Sequence, residues 1–117
     1  MNLDDLRTYC LTKVGTSEDT PFDSDTLVFR VGGKIFLFTS INAEGPLAFS
    51  VKNDAEKVVE LKDQYHAVIP GYHLNKTYWV TVNLGTDVSS QLALELIDKS
   101  YLMIRDSLPK KIKLTLE

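Results

Sequence analysis

Leu3, Leu6 and Cys10 recur at helical spacing behind Asn2, a residue suited to capping, and predict a helix over about Leu3–Lys13 with Asp4 and Asp5 at the positive end of its dipole. Val14 and Gly15 end it. The next ten residues, Thr16–Asp25, hold four acids and read as a polar loop, pinned to the core through the ring of Phe22. Three strands follow. Leu27–Val31 and Lys34–Ile41 flank Gly32-Gly33, a two-residue hairpin turn, and Asn42–Pro46 turns the chain into Leu47–Lys52. In that third strand Leu47, Phe49 and Val51 alternate with Ala48, Ser50 and Lys52, as in a half-buried strand. Asn53 and Glu56 have the spacing of a capping box and open a second helix to about Tyr65, with Ala55, Val58, Val59 and Lys62 along one side. Ala67–Ile69 is a short strand cut by Pro70-Gly71, and Tyr78–Leu84 a longer one with Tyr78, Val80, Val82 and Leu84 on one face. A last helix runs from Ser89 or Ser90 to Ser107 with Leu92, Ala93, Leu96, Ile97, Ser100 and Ile104 on one side, and Pro109 stops it. The alternating tail after Pro109 reads as an edge strand or a frayed end.

The order is α-βββ-α-ββ-α. Hairpin-linked strands interrupted by helices point to an α+β fold, a two-layer α/β sandwich with an antiparallel sheet, in a single domain over residues 1–117. A two-residue turn pairs Val31 with Lys34, so Phe29 faces Phe36 and Leu27 faces Phe38, an aromatic cluster on the core side. The opposite side then carries Val28, Arg30, Ile35 and Leu37. Three apolar residues in four are too many for a bare solvent face. Either the tail, a helix or a register-shifting bulge accounts for them, or the side is a dimer or partner surface.

Composition narrows the possibilities. The 117 residues carry 13 Lys+Arg against 16 Asp+Glu, a net charge of −3, which argues against coating nucleic acid by bulk charge but leaves room for a local basic patch. The charge is polarised along the chain: residues 1–25 hold six acids against Arg7 and Lys13, whereas residues 99–117 hold five cations against Asp106 and Glu117. The single cysteine, Cys10, reads as a small core residue and excludes an internal disulfide or a cysteine-built zinc site. No apolar run is long enough to span a membrane, and the acidic, amphipathic N-terminus does not read as a signal peptide, so a cytoplasmic location is expected.

Chemistry concentrates in Pro70–Trp79, PGYHLNKTYW, where aromatic rings alternate with side chains that hydrogen-bond. This stretch resembles the signature of the MmcQ/YjbR family of small bacterial proteins, PGYHMNKKHWNTV. The stretch PFDSDTLVFRVGGKIF is similar to that family's segment of the form PF, a short spacer, T, VFKV and GK, and LELIDKSYLMI to its closing LIDxSY helix. Together these span nearly the whole chain. The signature falls on Pro70, Gly71, Tyr72, His73, Asn75, Lys76, Trp79, Thr81 and Val82. Thr77 and Tyr78 stand where the signature has a lysine and a histidine, and Val80 where it has an asparagine, so this loop is less basic than the pattern. The resemblance implies an α+β fold similar to secretion-chaperone-like domains. It also implies DNA binding, the label commonly given to the family.

An enzyme needs a nucleophile or an acid–base pair held in reach. His66 and His73 are seven apart, a spacing that suits no helical metal pair, and neither a phosphate-binding glycine loop nor a nucleophile-elbow serine is present. The expectation is a non-catalytic binding module with no metal and no cofactor. Its candidate ligand-binding residues are Tyr72, His73, Asn75, Lys76, Trp79 and Arg30. The partner that the resemblance implies is DNA, bound weakly and salt-sensitively with Lys34 and the C-terminal lysines assisting. The alternative is a protein-binding or chaperone-like module using the second sheet face.

Overall fold

Residues 1–42, 44–71 and 74–116 are described by a computed structural model of the chain. In chain order the elements are α1 (Leu3–Leu11), β1 (Thr16–Asp19), β2 (Thr26–Val31), β3 (Lys34–Ser40), β4 (Ala48–Lys52), α2 (Ala55–Gln64), β5 (Val68–Pro70), β6 (Trp79–Asn83), α3 (Ser90–Asp106) and α4 (Lys110–Thr115). The strands form one antiparallel sheet in the order β1-β2-β3-β4-β6-β5. Helices α1, α2 and α3 send Leu6, Cys10, Val58, Leu61, Ala93, Leu96 and Ile97 into one core with Phe29, Phe36, Val51 and Val80 of the sheet. The α+β class and the antiparallel sheet are therefore as the patterning predicts.

Local chemistry explains most of the boundaries. Asn2 and Asp5 close a reciprocal capping box at α1, and Ser89 accepts from the Leu92 N–H at α3. At α2 the cap is Asp54 rather than Asn53. The Asn53 side chain turns back to accept from the Asp54 N–H at 2.8 Å, so the expected capping box is absent; Val59, expected on the same side as Val58, lies exposed while Val58 and Leu61 are buried. Cys10 is fully buried, and burial pushes its thiol up to about 12.

Three segments differ from the pattern-based reading. Thr16–Asp19 is a strand and not a loop: it pairs along the edge of β2, and its acids are answered there, Glu18 by Arg7 and Asp19 by Arg30. The tail forms α4 and not an edge strand. Its apolar residues at Ile112, Leu114 and Leu116 look alternating, but Leu108, Ile112 and Leu116 also stand four apart. That helical stripe seats Leu108 and Ile112 under Gly32 and Leu116 under Gly15, leaving Leu114 exposed. Phe22, expected to pin its loop to the core, stacks instead on Phe38 at 6.1 Å on the other face and stays 64% exposed.

The fourth difference is one of register. Val31 pairs with Lys34 and Arg30 with Ile35 as parity requires, but Phe29 then pairs with Leu37, Val28 with Phe38 and Leu27 with Thr39. Phe36 is the extra residue of a bulge, so Phe36 and Leu37 both enter the helix-side core opposite Phe29. Leu37 and Phe38 consequently exchange the sides that simple alternation assigns them.

The closing LIDKSY stretch ties the layers together. Asp98 accepts the Tyr9 hydroxyl at 2.6 Å and the Lys13 ammonium at 2.5 Å; the Tyr101 hydroxyl donates to the Val14 carbonyl at 2.6 Å. Ser100 donates to the Phe36 carbonyl at 2.6 Å and accepts from the Lys52 N–H at 2.9 Å, clipping α3 to two neighbouring strands.

The hairpin tip provides a test of the α4 seat. Gly32 has φ +56°, and an added Cβ would stand 2.6 Å from Leu108 Cδ1; Gly33 has φ +88° with open space around it. Gly33→Ala should cost only backbone strain, about 1 kcal/mol, whereas Gly32→Ala adds the clash and should cost about 2 kcal/mol with partial release of α4. Equal melting temperatures for the two variants would contradict this packing.

Candidate nucleic-acid interface

The face opposite the helices can be read from the pairing register, since alternate residues share a side. One rank crosses all six strands: Asp19, Val28, Phe38, Ser50, Thr81 and Ile69 stand side by side. Toward the hairpin tip the next positions on the same side are Arg30 and Ile35 on one flank, Lys52 and Trp79 on the other. Toward the opposite end they are Thr26 and Ser40, then Ala48 and Asn83. Phe22, Phe38 and Trp79 form a row, with Phe38 stacked on Phe22 and meeting Trp79 edge-on at 5.4 Å. Beside Phe38 lies a shallow depression of about 230 Å³ floored by Ala48, Ser50 and Thr81 and edged by Thr26 and Ser40. The Ser50 and Thr81 hydroxyls bond each other across it at 2.7 Å.

Beyond Trp79 comes the loop that follows Pro70. Gly71 is required there: a Cβ would stand 3.0–3.1 Å from the Trp79 Cβ and backbone, and the Gly71 N–H donates to the Trp79 carbonyl at 3.2 Å. Asn75 organises the return. Its side chain accepts from the Thr77 N–H at 3.0 Å, and its carbonyl accepts from the Tyr78 and Trp79 N–H groups. Leu74 is half-buried, while Asn75, Lys76 and Tyr78 are exposed. The Lys52 ammonium lies 5.7 Å above the Tyr78 ring. Of the six candidate residues, Tyr72 and His73 lie outside the described residues. Trp79 and Lys76 come together at the Lys52 end, and Asn75 holds the turn between them. Arg30 is on the same face two strands from Lys52, its guanidinium held by Asp19 at 2.9 Å and the Gly33 carbonyl at 3.0 Å. Sequence reading passed over Phe22, Phe38 and Lys52 as site residues; the bulge that exposes Phe38 shows in the sequence only as the surplus of apolar residues on the second side, one of whose accounts is such a bulge.

Asn75 and Lys76 thus have separable roles. Asn75→Ala should lower stability by about 1 kcal/mol through the lost turn bond, and Lys76→Ala, with an exposed side chain, should leave the melting temperature unchanged. Thermal melts of both variants decide this, and a collapse for Lys76→Ala would refute it.

Charge is distributed along the strand direction. The hairpin end carries Arg30, Lys34, Lys52 and Lys76, and α4, seated under Gly32, adds Lys110, Lys111 and Lys113. Among the described residues none of Lys34, Lys52, Lys76, Lys110, Lys111 and Lys113 has a carboxylate within salt-bridge distance; Asp54, at the same end, is taken by Lys99 at 3.1 Å. Acids gather at the opposite end. The α1 N-terminus, with Asp4 and Asp5, lies beside Ser40 and Leu47, and Asp25 bonds Asn42 there. Asp23, next to Phe22, accepts the Asp25 and Thr26 N–H groups, which hold its carboxyl below the ordinary range. Among the described residues no group of three His, Cys, Asp or Glu converges as a metal site, and no helix is long and apolar enough to cross a membrane.

The model of the YjbR family matches residues 11–103. The chain is 35% identical over 91 residues to YbdF of Escherichia coli O157:H7, covering 78% of this chain and 74% of that one. It is 29% identical over 111 residues to YjbR of E. coli K12, covering 95% and 93%. Among solved structures, Deinococcus radiodurans protein DR2400, which carries a DUF419 domain, superposes with a TM-score of 0.91 at 38% identity over 98% of this chain and 87% of that one. A Pseudomonas syringae protein superposes with a TM-score of 0.75 at 26% identity over 89% and 99%.

Proposed function

The chain belongs to the YjbR family, and from its surface we propose that it is a non-catalytic nucleic-acid-binding module that meets phosphates with the cations of its hairpin end. One observation carries this reading: α4 packs under the β2–β3 hairpin, so the lysines of the C-terminal segment are fixed at the same end of the sheet as Lys34, Lys52 and Lys76 instead of trailing as a solvated tail. The chain is acidic overall, and Glu56 and Asp106 stand at this end without an ion pair among the described residues, but Asp19 and Asp54 are paired and Asp4, Asp5, Asp23 and Asp25 lie at the other end of the strands. Phosphate binding needs cations on one surface, and a local field serves where net charge does not. With so modest a set of cations and a net charge of −3, binding is weak and steeply salt-dependent.

A second reading, a protein-binding module, is favoured by the apolar depression beside Phe38. The two separate in one experiment. Anisotropy of fluorescein-labelled 20-mer oligonucleotides, double- and single-stranded, is followed at 25 and 150 mM salt with the wild type and with the triple variant Lys110→Glu, Lys111→Glu, Lys113→Glu. Binding at 25 mM salt that weakens at least tenfold in the variant is expected. No binding at 25 mM salt, or binding indifferent to the triple reversal, would overturn the nucleic-acid reading and leave the protein-binding one.

A further inference from the structure

Resting on that reading, we infer that the nucleic acid taken is single-stranded, with bases stacked on the aromatic row of the open sheet face and phosphates held at its basic margin. Helices α1, α2 and α3 bury their apolar sides in the core on the other face; on this face Phe22 packs from outside the sheet on Phe38, Tyr78 lies against Lys52, and Val28 beside Phe38 is fully buried. What results is an antiparallel surface on which Phe22, Phe38 and Trp79 are successive ring neighbours. A duplex keeps its bases stacked and offers such a surface only its backbone. An unpaired strand offers the flat faces of its bases, and aromatic side chains on a sheet beside cations are the physical means of taking them.

Charge agrees with this placement. Lys52 stands beside Trp79 on the same face, Lys76 projects from the loop just beyond, and Arg30 closes the other flank of the tip. Among the described residues neither lysine is engaged by a carboxylate. The acids of the Phe22 loop lie toward the opposite end, which favours a strand running from the row toward the hairpin tip, its phosphates on Lys52 and Lys76 and then in the field of the α4 lysines at that end. The Ser40 hydroxyl at the edge of the depression beside Phe38 can bond the edge of one base without selecting among them, those of Ser50 and Thr26 being bonded to Thr81 and Asp23. DNA and RNA single strands share this chemistry.

Trp79 is the only tryptophan and lies in the row, so its fluorescence reports on the face directly. The probes are a fifteen-residue oligo-dT, a fifteen-residue oligo-U and a duplex of the same length, each titrated into wild type, Phe22→Ser and Phe38→Ser, with folding checked by circular dichroism. Phe22 is exposed, so its variant keeps the fold even if Phe38→Ser does not. Expected are quenching of Trp79 by a single strand, affinity at least tenfold above the duplex, and a loss of about tenfold in each aromatic variant. Neutralising about four phosphates of a single strand should weaken binding about 50-fold between 50 and 200 mM salt. Stronger binding of the one single strand than of the other assigns DNA or RNA within the proposal. Duplex binding equal to or above single-strand binding, absence of Trp79 quenching, or indifference to Phe22→Ser would overturn the inference while the nucleic-acid reading stands. Binding of none of the three probes would overturn both.

Discussion

Ser100→Ala is expected to destabilise the chain by about 3 kcal/mol although it removes one oxygen and leaves an alanine that helices favour. The side chain is fully buried, and its hydroxyl is the donor to the Phe36 carbonyl and the acceptor for the Lys52 N–H. Removing it strands two polar groups, and each buried orphan costs about 1–3 kcal/mol. The gain in helix propensity, about 0.5 kcal/mol, does not offset that. Ser100→Thr separates the hydroxyl from the space it occupies: it keeps the oxygen and adds a methyl to a filled core, so its loss is a packing loss. Chemical denaturation of the two variants measures both. An alanine variant within 0.5 kcal/mol of wild type would mean that water reaches the two backbone groups and that the clip between α3 and the sheet is dispensable. The same residues give the closing segment that carries Asp98, Ser100 and Tyr101 a structural role: it holds helix to helix and helix to sheet.

How far the fold is legible follows from which forces leave marks in sequence. The apolar periods of α3, β4 and β6, the Asn2 and Ser89 caps and the Gly32-Gly33 turn are local, and each element stands where its pattern puts it. β1 is illegible because edge strands carry polar residues by necessity, and its pairing is decided by partners distant in sequence, Arg7 and Arg30. α4 is illegible because two stripes compete over this six-residue helix and its flanks, period two at Ile112, Leu114 and Leu116 and period four at Leu108, Ile112 and Leu116; the seat under Gly32 decides between them. The loop's lysine and its tryptophan are visible as residue types. Their company is not: Lys52 and Phe38 join them only through strand register, and the C-terminal lysines only through the seat of α4.

Register also sets the most discriminating expectation about stability. Alternation makes Phe36 and Phe38 equivalent and Leu37 their opposite; the bulge makes Phe36 and Leu37 equivalent and Phe38 the opposite. Phe36 is fully buried, meets Tyr101 edge-on at 5.5 Å and Phe29 at 6.5 Å, so Phe36→Ala should cost about 3–5 kcal/mol. Leu37, also fully buried and opposite both Phe29 and Val51, should lose about 2–4 kcal/mol on truncation. Phe38 is half-buried between Phe22 and Trp79, on a surface rather than in a core, and Phe38→Ala should cost only about 1 kcal/mol. Urea denaturation of the three alanine variants measures the order directly. Equal large losses at Phe36 and Phe38 with a small loss at Leu37 would restore the unbulged register, bury the aromatic row in the core and remove the surface on which the single-strand proposal rests. The ordering with Phe38 least costly leaves a large aromatic residue on an open face whose stability contribution does not account for it, the pattern expected when a side chain is kept for what it contacts outside the fold.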